Sequence, residues 1–179
     1  MTETGSHAET DTRARSVELT FDQATDARVR AEWDALASAG LSSLAPHTSP
    51  SNAPHLTLLE RRSPLPDDLT LDADFLPIPL VLGPIMLLGS GDRRVLARAV
   101  LPTSALLDLR SAVVAAAGPA PSGDDSGAPW LPHVTLARRL RVTDVATALD
   151  LPGDPFEASG TVLRRWDPAT ATVAVIAGA

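Results

Sequence analysis

Cysteine, lysine and tyrosine are absent from this sequence of 179 residues, and each absence excludes a class of chemistry. Without cysteine the chain has no disulfide, no thiolate nucleophile and no cysteine-ligated zinc. Without lysine it has neither a lysine nucleophile for adenylate-type ligation nor the usual Walker-type phosphate loop. Three Phe, three Trp and no Tyr leave few surfaces on which single-stranded bases could stack.

Positive charge is also scarce, because 15 arginines face 22 acidic residues and the net charge is −7. An acidic surface repels a long polyanion unless the arginines are concentrated locally. We therefore expect no extended nucleic-acid surface. A small site for one phosphate is compatible with this composition.

Long apolar runs are missing as well. The most apolar window, residues 75–88, is interrupted by three prolines and a glycine, so no transmembrane helix is expected. The N-terminal residues show neither the basic start nor the apolar stretch of a secretory signal. These observations predict a cytoplasmic monomer without membrane contact.

The size and the hydrophobic content of 44% predict one packed unit. Residues 1–14 are polar and without periodicity, which predicts a disordered tail and a domain over 15–179. Alternating residues 16–21 predict a strand. A helix should follow, capped by Asp22 or Thr25, with Trp33 in the core and Gly40 at its end.

The rest of the chain predicts a second set of similar elements. Residues 103–117 predict a helix that Thr103 caps and Gly118 ends, and residues 118–129 predict a loop. Further short strands are predicted at 78–82, 85–88, 95–100, 161–166 and 172–177, with turns at 89–92 and 167–170 and a short helix at 142–149.

One short stretch occurs twice. Residues 54–58 read Pro-His-Leu-Thr-Leu and residues 132–136 read Pro-His-Val-Thr-Leu, so two of the four histidines have nearly identical neighbours. In an extended strand alternate side chains share a face, so His and Thr of each copy should point the same way. Leu56, Leu58, Val134 and Leu136 should then face the core.

The twin His-x-Thr-Leu motif resembles the signature of the 2H phosphoesterase superfamily, which includes the RNA 2′,3′-cyclic phosphodiesterases also called 2′-5′ RNA ligases. Val17-Glu18-Leu19 before a helix resembles the opening of that family, and the resemblance spans residues 16–177. It implies a bilobal α+β fold of two antiparallel sheets with flanking helices, related by a pseudo-twofold axis. The motif strands would line the cleft between the lobes.

Hydrolysis of a cyclic phosphodiester requires a base for water and an acid for the leaving oxygen, and two histidines can supply both without a metal or another cofactor. The resemblance implies that His55 is the acid and His133 the base, although the sequence alone is symmetric. Thr57 and Thr135 are candidates to bind the non-bridging oxygens. Arg138 matches a basic position in some relatives, and a plain surface arginine is the other interpretation.

The expected substrate is a small nucleotide or an RNA terminus that bears a cyclic phosphate. Zinc bound by an acidic residue together with His55 and His133, with or without His47, is a weaker alternative, because the chain has no His-Glu-x-x-His or similar chelating pair. His47 is otherwise expected to be an inert loop residue. No Gly-x-Ser-x-Gly elbow supports a serine hydrolase. A non-catalytic module that binds a nucleotide or an RNA end in the same cleft is the alternative from another class.

Overall fold

A computed structural model describes residues 13–49, 51–121, 124 and 129–178. The predicted tail lies outside the described residues except for its last two, and so does much of the predicted loop before residue 129. The strands are β1 (Arg15–Phe21), β2 (His55–Arg61), β3 (Ile78–Leu88), β4 (Arg93–Val100), β5 (His133–Arg141), β6 (Phe156–Asp167) and β7 (Thr172–Gly178). The α-helices are α1 (Gln23–Ser38), α2 (Ser104–Ala117) and α3 (Val145–Leu149), with short 3-10 helices at Ala73–Phe75 and Val142–Asp144.

The two long helices begin and end where the sequence predicts. The Asp22 carboxylate accepts the Thr25 N–H at 2.8 Å, and the Thr103 hydroxyl accepts the Leu106 N–H at 3.2 Å. Each side chain thereby satisfies an amide that has no partner inside its helix. Hydrogen bonding from Thr25, first from its side chain and then from its backbone N–H, lowers the pKa of the Asp22 carboxyl below its ordinary 3.8. Gly40 and Gly118 follow the helix ends with φ of 72° and 68°, a conformation that favours glycine.

Three predicted elements have different bounds in the structure. β3 is one strand where two were predicted, and its register with β4 shifts between Leu82 and Ile85. Proline cannot donate to the ladder and glycine packs no side chain, so Gly83-Pro84 bends the strand without ending it. β6 starts five residues before the predicted 161, because residues 156–160 pair with β3. A 3-10 turn replaces the start of the predicted third helix.

The strands are antiparallel and connect in the order β1-β2-β5-β4-β3-β6-β7, and β1 also pairs with β6. The first half of β6 pairs with β3 and the second half with β1 and β7. Within the described residues, β2 and β5 are joined only at Leu56 and Val134. The predicted antiparallel α+β architecture is confirmed. Its division into two sheets related by a pseudo-twofold axis stays a prediction.

Each long helix contacts the motif strand that lies in the other half of the chain. Trp33 of α1 is buried, as predicted, and its indole N–H donates to Thr135 O of β5 at 3.1 Å. Arg61 at the end of β2 donates to Ala117 O at the end of α2 at 2.9 Å. The apolar motif residues between these helices are fully buried, namely Leu56, Leu58, Val134 and Leu136.

A buried ion pair joins α1 to β4. Arg98 is fully buried, and its Nε donates to both Glu32 oxygens at 2.8 and 3.0 Å. The same guanidinium donates to Gly83 O at 2.9 Å and to Gly153 O. The charge therefore has a counter-ion and its N–H groups have acceptors, as burial of a guanidinium requires.

Among the described helices, none has both the length and the apolarity needed to cross a bilayer.

Candidate active site

The two motif strands are neighbours in the sheet. They are antiparallel, and the central apolar residues of the two motifs, Leu56 and Val134, pair with each other. Antiparallel neighbours are related by a local twofold axis, so one step from this pair His55 lies toward Thr135 and His133 toward Thr57. Both histidines and both threonines then project from the face opposite the buried leucines and valine.

A cleft of about 1270 Å³ lies over this face. All five residues predicted for the site line it, namely His55, Thr57, His133, Thr135 and Arg138. The structure brings together two motifs that are 78 residues apart in the chain (133 minus 55).

Both imidazoles are held in the same way. His55 Nδ1 lies 2.7 Å from Ala53 O, and His133 Nδ1 lies 2.7 Å from Leu131 O. A carbonyl oxygen can only accept, so Nδ1 carries the hydrogen in both rings. Each Nε2 is therefore left to take up or release a proton. Pro54 and Pro132 stand between each carbonyl residue and its histidine, and the proline ring fixes the backbone angle φ at that position.

The threonines have free hydroxyls and anchored backbones. Within the described part of the chain, neither hydroxyl has a hydrogen-bond partner, and both face the cleft. The backbone oxygens are occupied instead: Trp33 donates to Thr135 O, and Trp130 donates to Thr57 O at 2.9 Å. These indoles satisfy carbonyls in the region where β2 and β5 diverge after their single pair. They fix the strands while the hydroxyls remain able to donate.

One side of the cleft holds a carboxylate that the sequence interpretation did not assign to the site. Glu18 of β1 is buried, and its Oε1 lies 3.7 Å from His55 Nε2. Its Oε2 accepts from Arg164 Nε at 2.9 Å, and Ser16 donates to Oε1 at 2.7 Å. The sequence contained one signal that could have pointed to Glu18, because an acidic residue stands there between two apolar residues of a predicted strand. Arg164 gave no such signal, since it reaches Glu18 only through the β1–β6 pairing.

The strands beside the two motifs are not equivalent. Glu18 is the β1 partner of Thr57, whereas Ala97 is the β4 partner of Thr135. His55 therefore has a carboxylate within 4 Å, and among the described residues His133 has none. The cleft is symmetric in its histidines and threonines and asymmetric in charge.

An aromatic residue and an arginine form another part of the cleft lining. The Arg110 guanidinium of α2 stacks 4.7 Å from the centre of the Trp130 ring, a cation–π contact. Trp130 is anchored by its bond to Thr57 O, so this wall is fixed relative to the motif strands. The sequence analysis did not assign either residue to the site.

Each motif is followed by a pair of arginines, Arg61 and Arg62 after the first and Arg138 and Arg139 after the second, and the two pairs have different environments. Arg61 is buried and donates to Ala117 O, Gly118 O and Pro64 O, so it is structural. The amides of Arg62 and Ser63 donate to the Asp124 carboxylate. Hydrogen bonding from Ser63 is the main cause that lowers the pKa of Asp124 below 3.8. Arg138, in contrast, is exposed and faces the cleft.

His47, expected to be an inert loop residue, lies at the exposed rim of the same cleft. Its backbone oxygen accepts from the Asn52 amide at 2.8 Å, which orders the loop. Among the residues that the structure describes, no three His, Asp or Glu side chains are grouped as they would be around a metal ion.

Comparison with known proteins supports the fold and identifies the family. The structure is similar to Usb1 of Kluyveromyces marxianus, with a TM-score of 0.51 at 9% identity over 92% of this chain and 98% of that chain. It is also similar to a crystal structure of a phosphoesterase, with a TM-score of 0.52 at 16% identity over 91% and 94%. No curated protein matches the sequence. The model of the 2′-5′ RNA ligase superfamily matches residues 21–176, and the chain therefore belongs to this superfamily, a family of 2H phosphoesterases.

Proposed function

We propose that the protein hydrolyses 2′,3′-cyclic phosphates without a metal, using His55 and His133 as general acid and general base. The observation that carries this proposal is the shared tautomer: both rings donate from Nδ1 to a carbonyl and keep Nε2 for the cleft. Membership of a family of phosphoesterases and RNA ligases supports an enzyme. The two-histidine mechanism and the cyclic substrate are our assignments.

The reaction needs one proton removed and one delivered. His133 Nε2 takes a proton from water as the water oxygen forms its bond to phosphorus. The bond from phosphorus to one ribose oxygen breaks, and His55 Nε2 delivers a proton to that oxygen. The product is a phosphomonoester beside a free hydroxyl, with the two imidazoles in exchanged protonation states.

The charge asymmetry supports this order of roles. A protonated His55 has the Glu18 carboxylate as a counter-ion at 3.7 Å, which suits the group that begins the reaction as an acid. Arg164 pairs with the same carboxylate, which weakens the attraction between Glu18 and a protonated His55. In the other motif the strand position that corresponds to Glu18 is Ala97, the β4 partner of Thr135, and an alanine there leaves His133 without a carboxylate, which suits a neutral base.

The threonine hydroxyls are assigned to the non-bridging oxygens of the phosphate. They lie beside the two rings on the same face and have no other partner among the described residues. Charge on these oxygens grows as the water attacks, so a donor aimed at them lowers the barrier. Arg138 is assigned to substrate binding in the same cleft.

The test is hydrolysis of a panel of 2′,3′-cyclic nucleotides and cyclic-phosphate oligonucleotides in the presence of EDTA. We expect turnover that EDTA leaves intact and that His133→Ala reduces by roughly 10²- to 10⁴-fold. Activity lost to EDTA and restored by zinc or manganese would instead support the metal alternative. The Arg28→Gln variant, which is altered on α1 outside the cleft lining, is the control for differences between protein preparations and for the loss of one positive charge.

The alternative function is a module that binds a nucleotide or an RNA end without converting it. Such a module would bind a cyclic phosphate and return it unchanged after prolonged incubation, which chromatography of the ligand detects.

We further propose, from the sequence, that the protein is a cytoplasmic monomer without a cofactor and that its lobes follow the family's pseudo-twofold arrangement.

A further inference from the structure

Four arginines lie together on β4 and β5, beside and beyond the end of the cleft. We refer to Arg93, Arg138, Arg139 and Arg141 as the arginine row. Their grouping matters because the chain as a whole carries a net charge of −7. A local concentration of arginine is the condition under which such a protein can still bind a polyanion.

A β-bulge presents the row on one face. Arg94 pairs with Leu140 and Leu96 pairs with Ala137, so Val95 alone stands opposite both Arg138 and Arg139. The side chains flanking the bulge on β5, Ala137 and Leu140, are buried, while both arginines are exposed. Both arginines therefore project from the same exposed face.

The row continues past the bulge on that face. Arg141 of β5 pairs with Arg93 of β4, and Arg93 lies two residues from Val95, which lines the cleft. Directly opposite residues of an antiparallel pair share a face, with Cβ atoms about 4.5–5.5 Å apart. The exposed face thus carries positive charge from the cleft to the end of β5.

Within the protein this charge is nearly uncompensated. Asp92, itself almost fully exposed, lies 3.9 Å from Arg93, and it is the one carboxylate within 4 Å of any member of the row among the described residues. Like charges placed directly opposite each other destabilise a strand pair. An anionic ligand would relieve this repulsion.

The ligand of the row is not the reacting phosphate. β5 carries two extra residues in its bulges, so the separation is counted along β4, where Val95 and Arg93 lie four and six residues from Ala99, the partner of His133. At about 3.3 Å per residue, Arg138 lies roughly 13 Å from His133 and Arg141 roughly 20 Å. An extended arginine reaches about 7 Å, from six bonds of roughly 1.5 Å. The guanidinium groups must therefore meet negative charges displaced along the substrate.

We propose that the arginine row binds the backbone phosphates of an RNA strand whose cyclic-phosphate end lies between His55 and His133. The inference rests on the proposed function and narrows its substrate from a cyclic nucleotide to an oligoribonucleotide terminus. Guanidinium groups suit this task because each can form two parallel hydrogen bonds to one phosphate. A mononucleotide has no phosphate that reaches the row.

The experiment compares kcat/KM for a ribonucleoside 2′,3′-cyclic phosphate with that for a tetraribonucleotide ending in the same group. We expect the full chain to prefer the tetranucleotide by at least tenfold. Arg139→Gln and Arg141→Gln should each reduce that preference several-fold, with the larger loss always on the tetranucleotide. Arg28→Gln removes the same charge from α1 and should leave the preference unchanged.

Binding of a tetraribonucleotide that ends in a 3′-phosphate, followed by fluorescence anisotropy at several salt concentrations, gives a readout independent of turnover. The slope of log K against log salt should fall by about 0.7 for each phosphate contact that a variant loses. On the unaltered protein alone, the slope reports how many phosphates the protein contacts, so this measurement does not depend on whether a variant folds.

The outcomes separate the two proposals. Equal kcat/KM for both substrates, or equal losses in Arg28→Gln and the row variants, would overturn the arginine row while leaving hydrolysis intact. Salt-dependent binding of the tetranucleotide that the row variants weaken, without turnover of either substrate, would support the row and reject hydrolysis.

Discussion

The Glu18 carboxylate lies 3.7 Å from His55 Nε2, and no described carboxylate lies within 4 Å of His133. The two motifs are otherwise matched in tautomer, in the upstream proline and in the free threonine hydroxyl. This one contact therefore distinguishes the two histidines, and it is the physical basis for assigning them different roles.

The first prediction tests that assignment through the leaving group. His55→Ala should lose roughly 10²- to 10⁴-fold in kcat on a cyclic phosphate, whose ribose oxygen must be protonated as it leaves. On a diester with a nitrophenolate leaving group the same variant should lose far less, because nitrophenolate departs without a proton. His133→Ala should lose similar factors on both substrates. The opposite pattern would exchange the roles of acid and base.

The second prediction concerns the combined effect of the histidines. Since acid and base act on one transition state, the double variant His55→Ala/His133→Ala should lose much less than the product of the single losses. Steady-state kcat on a verified cyclic nucleotide measures this. A loss of less than a few-fold in either single variant would reject the two-histidine mechanism.

The third prediction concerns the threonine hydroxyls. Thr57→Val and Thr135→Val keep the shape of the side chain and remove the donor, so each should cost on the order of 10²-fold in kcat, as for one oxyanion donor. Thr161→Val, on β6 outside the cleft lining, is the matched control and should keep its activity. Effects confined to KM would show that the hydroxyls bind substrate without favouring the transition state.

The fourth prediction is about stability and the buried pair of Arg98 and Glu32. Glu32→Gln leaves Arg98 buried without a counter-ion and should lower the free energy of unfolding by about 3–5 kcal/mol. Glu32→Leu combined with Arg98→Met should cost less than the two single changes together, since no unpaired charge remains. Urea denaturation of the unaltered protein, Glu32→Leu, Arg98→Met and the double variant measures the coupling, and additive losses would contradict it.

The fifth prediction gives the pH dependence of a helix cap. Asp22→Ala should cost about 1 kcal/mol at neutral pH, because the Thr25 amide loses its acceptor. The folded pKa of Asp22 lies below the ordinary 3.8, so this stabilisation is complete above that pH and is lost as pH falls through the folded value. Thr103→Ala removes a neutral cap from α2, and its cost should not change over the same range. Thermal unfolding between pH 2 and pH 7 compares the two variants.

Local signals in the sequence determined much of the fold and which residues of the two motifs face the cleft. The caps at Asp22 and Thr103 and the glycines after each helix fixed both long helices, because these signals act within a few residues of the backbone they satisfy. The alternation around His55 and His133 likewise fixed which side chains face the cleft, since a strand has a period of two.

The tertiary structure decided what depends on residues far apart in the chain. Glu18 reaches Arg164 only because β1 pairs with β6, and Trp33 reaches Thr135 only because α1 packs on the strand of the other motif. The paired arginines read alike in sequence, yet Arg61 is buried against the end of α2 while Arg138 and Arg139 are turned outward by a bulge. A strand register can be shifted by one residue without any local mark, and that shift decides which face a charge occupies.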